Sequence, residues 1–182
     1  TLGYASLTHW VGRSYDDTFK MFVAAGTRWE PTLAAGNGID ILFQNEPERV
    51  PRWSRVTPHF RDHASSGLWA DRLRSMRLAY LRGITFITGT DTGPEGWALQ
   101  MELEFYAEAG IPPIDILRFA TKESAKTVGA QDHLGTLEAG KLADLILLDA
   151  NPLEDIKNTQ KIWRVFKGGW MFDPKVLQPN RN

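Results

Sequence analysis

Asp91 stands in the run Gly89-Thr90-Asp91-Thr92-Gly93, directly after the β-branched stretch Ile84-Thr85-Phe86-Ile87-Thr88. A carboxylate just past the carboxyl end of a strand, between two glycines, is placed to bind a cation, to act as a general base, or to close an Asx-turn. His9 ends a second short strand-like stretch, 4–9, just before a polar helix start. An imidazole at such a point is by itself as readily structural as functional. If the two strands are parallel neighbours in one barrel, the loops at their carboxyl ends converge, and His9 and Asp91 point into the same mouth. Neutral imidazole and carboxylate are suitable ligands for a borderline divalent metal such as zinc.

The remaining candidates are weaker. His59 and His63 are spaced i, i+4 and would share a helix face, but His59 follows Pro58 and no Glu follows it as in a zincin helix. A surface or lid role fits that pair better. His133, beside Asp132, reads as a loop residue. Trp97, just after the Asp91 turn, could line a substrate pocket, whereas the other Trp and Phe positions read as core. The chain opens on Thr1 rather than Met, which points to processing, an engineered boundary or a cropped chain; an N-terminal Thr can also be a nucleophile.

Composition narrows the classes. Of the 182 residues, 42% are hydrophobic and 24% charged, too apolar for a disordered chain. Lys and Arg number 21 against 22 Asp and Glu, and with no basic stripe nucleic acid is not an expected partner. There is no Cys, hence no disulfide framework, zinc ribbon or thiol nucleophile, and any metal must be held by His and carboxylates. No apolar run reaches the roughly 18 residues that a membrane span needs.

The elements that must position these residues alternate. After the first strand, Ser14 reads as a helix N-cap with Asp16 and Asp17 in the first turn, Phe19, Phe22 and Val23 as the apolar face, and Gly26 as the stop. A strand over 27–33 follows, with Pro31 near its end. Residues 34–66, with Pro47, Pro51 and Pro58, read as an irregular excursion in which Trp53 and Phe60 could serve a lid. Trp69, Leu73, Met76 and Tyr80 recur at helical spacing before Gly83; the strand 84–88 and helices over about 97–109 and 113–128 complete the set. Strands separated by such helices predict an α/β fold with parallel pairing. The last part changes character: 134–141 is rich in turn residues, 143–148 reads as a strand that is apolar but for Asp144, and 162–166 alternates before Gly168-Gly169. The expected organisation is therefore an α/β part with parallel pairing over 1–133, a small β layer over 134–173, and a mobile tail over 174–182.

Several of these segments resemble one family. Gly83-Ile84-Thr85-Phe86-Ile87-Thr88-Gly89-Thr90-Asp91 is similar to the eighth barrel strand of the amidohydrolase superfamily with its closing Asp, and Glu102-Leu103, Ala109-Gly110-Ile111-Pro112-Pro113 and Ala120-Thr121 resemble the helices that follow it. Leu134-Gly135-Thr136-Leu137-Glu138-Ala139-Gly140-Lys141-Leu142-Ala143-Asp144-Leu145-Ile146-Leu147-Leu148-Asp149, followed by Asn151-Pro152-Leu153, resembles the return into the small β-sandwich of the imidazolonepropionase-like and Xaa-Pro dipeptidase-like branches. Ala5-Ser6-Leu7-Thr8-His9 resembles the sixth-strand segment with its metal-ligand His, and Trp29-Glu30-Pro31-Thr32-Leu33 the seventh strand. Where family members often carry a His, this chain has Gln100.

The resemblance implies the C-terminal part of a (β/α)8 TIM barrel, strands six to eight, plus strands of a β-sandwich. It implies a hydrolase of amide or related C–N bonds that uses water activated by one or two divalent metals, usually zinc. His9 and Asp91 would be ligands, and Asp91 would also carry the proton from water to the leaving nitrogen. It implies an amide or dipeptide-like small-molecule substrate, with an Xaa-Pro dipeptidase or a non-catalytic assembly piece as alternatives, and a homo-oligomer. No counterpart of the family's His-x-His pair, fourth-strand Lys or fifth-strand His occurs here. The missing part of the barrel is therefore expected from another segment or chain.

Overall fold

A computed structural model of the protein describes residues 4–10, 15–35, 66–91 and 98–177. The chain divides into two compact units, Thr1–Pro112 and Pro113–Asn182. The change from helices to strands falls later, after the helices that open the second unit.

The first unit contains β1 (Ser6–Thr8), α1 (Asp16–Ala25), β2 (Arg28–Glu30), α2 (Ser66–Leu81) and α3 (Ala98–Glu108). β1 and β2 pair in parallel, Leu7 opposite Trp29. On the other side of β2, Trp29 forms a parallel bridge with Phe86. The Trp29 amide donates to Thr85 O and the Ile87 amide to Trp29 O, both at 3.0 Å. Three parallel segments thus lie side by side with β2 in the middle, and α1 makes the crossover from β1 to β2 that parallel pairing demands. α1 ends where Gly26 takes φ 64°, a left-handed turn that glycine adopts without strain.

All three strands are shorter than the sequence suggests. The expected 4–9 and 27–33 contract to Ser6–Thr8 and Arg28–Glu30, and of 84–88 only Phe86 makes a bridge. Pro31 has no N–H to continue the ladder, and His9, Thr32 and Asp91 turn the backbone to positive φ. α1 begins one residue later than a Ser14 cap would have it; Tyr15 holds the N-cap position without a side-chain bond, and Ser14 lies outside the described residues. Asp16 in the first turn is held below the usual carboxylate range by hydrogen bonds from Lys20 and then Arg82.

The core is aromatic. Trp29, Phe86 and Tyr106 are wholly buried. Trp29 stacks on Phe86 at 5.5 Å, and Phe86 meets Tyr106 edge-on at 5.8 Å. Of the stripe on α2, Trp69 and Met76 are buried, with Ala79 beside them. No helix among the described residues is long and apolar enough to cross a membrane.

The second unit opens with α4 (Pro113–Arg118), a π-turn (Phe119–Glu123) and α5 (Ser124–Thr127) in place of the single helix expected over 113–128. The widened turn coincides with hydroxyls bonded back to the helix: Thr121 Oγ1 donates to Leu117 O and Ser124 Oγ to Phe119 O, both at 2.7 Å. A three-stranded antiparallel sheet follows in the order β3 (Leu145–Leu148), β4 (Ile162–Lys167), β5 (Trp170–Phe172). β4 and β5 are joined at Gly168 and Gly169, which both take positive φ, as a tight hairpin requires. The tail begins with a helical turn, α6 (Pro174–Leu177); the residues after it lie outside the described part.

The segment Gly140-Lys141-Leu142-Ala143-Asp144 is a set of struts. Lys141 Nζ donates to Gln131 O at 2.7 Å and to Thr136 Oγ1 at 2.5 Å. Asp144 accepts from Lys167 Nζ and, at 2.6 Å, from the Gly168 amide, pinning the hairpin turn; the Lys167 contact, then the Gly168 amide, hold its carboxyl low. Gly135 has φ 90°, and a Cβ there would sit 2.7 Å from the Ala125 Cβ and 3.1 Å from the Lys122 Cα. Gly135→Ala is therefore expected to destabilise the second unit by about 2–5 kcal/mol, the left-handed penalty adding to the overlap. Denaturant unfolding of the intact protein checks this, and a loss below half a kcal/mol would contradict the packing described.

Candidate functional site

Three adjacent parallel segments each release one non-glycine residue into the left-handed region at the carboxyl end: His9 at φ 72°, Thr32 at φ 50° and Asp91 at φ 55°. Such conformations cost roughly 1–3 kcal/mol each and persist where the surroundings over-determine them. For His9 the restraints are visible. Its amide donates to Glu30 O at 2.8 Å, and its carbonyl accepts from the buried Trp29 Nε1 at 2.8 Å. The backbone that carries the imidazole is thus clamped by the central strand from both sides.

The clamp brings His9 to Asp91. His9 Nδ1 lies 3.8 Å from Asp91 Oδ2, with the two side chains 60% and 49% exposed, so the pair is open to a ligand from solvent. Thr32 from β2's exit completes the group, its Oγ1 3.1 Å from His9 Nδ1. The convergence of His9 and Asp91 anticipated from strand ends is present. One imidazole and one carboxylate at this separation suit two positions around a divalent cation. Among the described residues no group of three or more His, Asp or Glu side chains is gathered to hold an ion. The pair therefore fits part of a ligand set.

Two carboxylates that the sequence reading did not single out lie near. Glu30 accepts from Thr8 Oγ1 at 3.1 Å, and its carboxylate fills the space that the absent side chain of Gly89 leaves. Glu102, on α3, is fully buried. Its Oε2 accepts from the Ala34 amide at 2.7 Å, and Oε1 has no hydrogen-bond partner among the described residues. Burial pushes its pKa up to about 7, against the pull of the Ala34 amide, with the Glu30 charge adding to the rise. Tyr106, its phenol raised by burial and then by Glu102, stays neutral and donates to Ile87 O at 2.8 Å. The stretch Met101-Glu102-Leu103-Glu104-Phe105-Tyr106 holds two acids, and nothing in residue type singles out Glu102, the one of the pair that is fully buried.

Trp97, His59 and His63 lie outside the described residues, as do Thr1, Trp53 and Phe60. His133 sits exposed in a turn, as a loop residue would.

Residues 20–171 match the amidohydrolase family, well over half of the chain. The chain belongs to the amidohydrolase family. Membership implies a TIM-barrel-type fold, with which the three parallel segments accord. Ochratoxinase of Aspergillus niger is 40% identical over 112 residues, 59% of this chain and 23% of the relative. The solved structure of A. niger ochratoxinase superposes with a TM-score of 0.70 at 30% identity, over 94% of this chain and 37% of that one. A solved Xaa-Pro dipeptidase with methionine bound in its active site gives a TM-score of 0.72 at 25% identity, over 92% and 39%. This amidohydrolase-family chain thus spans about a quarter of its curated relative's length and about two fifths of the solved chains.

Proposed function

We propose that this chain is the C-terminal part of a metal-dependent hydrolase of amide or related C–N bonds. In this reading it supplies the sixth to eighth barrel strands and strands of a small β-sandwich, and the other ligands come from the segment or chain that completes the barrel. The observation that carries the reading is the meeting of His9 and Asp91 at 3.8 Å, each at the carboxyl end of a parallel segment. Family membership and the likeness to ochratoxinase support it.

His9 and Asp91 would hold a divalent cation, zinc being the best match to an imidazole–carboxylate pair. When bound, such an ion acidifies water and polarises the substrate carbonyl. Asp91 takes the proton from the attacking water and passes it to the leaving nitrogen, a double duty that a carboxylate can perform and an amide cannot. His9, clamped at its backbone by Glu30 and Trp29, stays anchored beside Asp91.

In the intact protein, dialysis against a chelator is expected to abolish hydrolysis of amide substrates, and added zinc to restore it. Undiminished turnover by protein shown to be metal-free would end the proposal. The likeness to an Xaa-Pro dipeptidase structure favours one second reading, cleavage of Xaa-Pro dipeptides. Rates on N-acyl amino acids and on Xaa-Pro dipeptides, measured side by side, separate the two.

A further inference from the structure

Glu30 is the last residue of β2, the central segment, and it reaches both neighbours. Successive side chains of a strand point to opposite faces. Trp29 enters the aromatic layer, so Glu30 projects from the other face of the three segments. Toward β1, its carbonyl accepts from the His9 amide at 2.8 Å, and its carboxylate accepts from Thr8 Oγ1 at 3.1 Å. Thr8 is also its partner in the ladder. Toward the third segment, the same carboxylate lies against Gly89, two residues ahead of Asp91. A Cβ on Gly89 would fall on that carboxylate and stand 2.7 Å from the Glu30 Cγ.

The backbone of Gly89 does not take positive φ. What asks for glycine there is the space that Glu30 occupies, since the conformational freedom of glycine is not used. Backbone pairing below the exits is sparse: β1 and β2 are three residues each, and the third segment meets β2 through the single bridge at Phe86. One side chain therefore touches the residue before His9 and the turn that carries Asp91, where few ladder bonds hold either. We propose that Glu30 is a positioning residue whose carboxylate, wedged between Thr8 and Gly89, sets the separation of His9 and Asp91 and so shapes the pair for a shared cation.

The wedge stands on these contacts alone; its consequence for a cation rests on the functional reading above. It acts by shape and by the bond from Thr8, so an amide of the same shape can replace it. Groups that orient metal ligands without touching the ion typically carry a tenfold to hundredfold share of metal affinity.

The test is a double-mutant cycle in the intact protein. The obstacle to a Cβ on Gly89 is the far end of a flexible side chain, so Gly89→Ala is expected to fold by turning Glu30 out, and to behave as Glu30→Ala does. Once Glu30→Ala has emptied the space, adding Gly89→Ala has no further effect, which makes the pair non-additive. Nitrogen-15 NMR of the metal-free proteins with labelled histidine, His9 being assigned by loss of its signals in His9→Gln, gives the first readout. The His9 signals move in Glu30→Ala and in Gly89→Ala, and stay at their wild-type positions in Glu30→Gln, which keeps the bond from Thr8. Zinc titration by calorimetry gives the second, an affinity about 10- to 100-fold weaker for both alanine variants and close to wild type for Glu30→Gln. Unmoved His9 signals in a folded Glu30→Ala or in Gly89→Ala overturn the proposal. So do additive effects in the cycle, and so does a Glu30→Gln as impaired as Glu30→Ala, which would make charge rather than shape the cause. If Glu30→Ala fails to fold, Gly89→Ala against Glu30→Gln decides the same question. The expected NMR pattern in a protein that binds no zinc would leave the wedge in place and overturn the metal-dependent reading instead.

Discussion

Replacing Asp91 by Asn lowers kcat by about 10²- to 10⁴-fold, the range over which a positioned acid–base group acts, while the unit that contains it stays folded. The amide nearly matches the carboxylate in shape, and the Asp91 side chain is half exposed, so little packing is disturbed. What disappears is the negative charge facing His9 and the oxygen able to take and return a proton. Steady-state rates on an amide substrate, together with bound-metal content, check the result. A fall in rate with metal retained isolates the proton-transfer role, and a fall with metal lost isolates the ligand role. Unchanged kcat in metal-loaded Asp91→Asn would remove Asp91 from the mechanism.

The second large effect is a dependence of stability on pH that originates at Glu102. Its pKa is raised to about 7 in the folded protein, chiefly by burial, from a model-peptide value of 4.5. Between these two values the folded state holds a proton that the unfolded state has released. Stability therefore falls as pH rises across this window. The contribution is fully present below about pH 4.5 and is lost by about pH 7, a change of roughly 3 kcal/mol at about 1.4 kcal/mol per unit. Glu102→Gln, which keeps the hydrogen bond from the Ala34 amide and cannot ionise, is expected to be flat over the same range. Denaturant unfolding of both proteins at pH 5 and pH 7.5 measures the difference. Parallel slopes in the two would show that the carboxyl is not the group responsible.

The sequence carried the site further than it carried the strands. His9 and Asp91 were legible because each follows a short strand-like run, and parallel α/β architecture sends such positions to one rim. The strands themselves were read too long, since propensity counts Ile84, Thr85 and Ile87 equally, whereas the bridge to Trp29 is made at Phe86 alone. Thr32 escaped notice because a threonine near a strand end looks like one more β-former. The offset from strand end to His9 and Asp91 was the clue, with Pro31 marking where the ladder stops. Glu102 escaped because it was read only as part of the family-like pair Glu102-Leu103, with Glu104 an equal acid two residues on. The segment around Lys141 and Asp144, the most specific resemblance in the chain, braces the turn before β3 and the β4–β5 hairpin. Recognisable residues here mark an architecture, and the residues proposed for the chemistry are individually unremarkable.

Trp29 joins two duties that proteins often keep apart. Its rings fill the middle of the aromatic layer, and its indole nitrogen holds the carbonyl of His9. Stability of the core and placement of His9 therefore share a single side chain, so that a library selected for one inherits a filter on the other. An engineer who wishes to move the histidine will have to redesign the interior first.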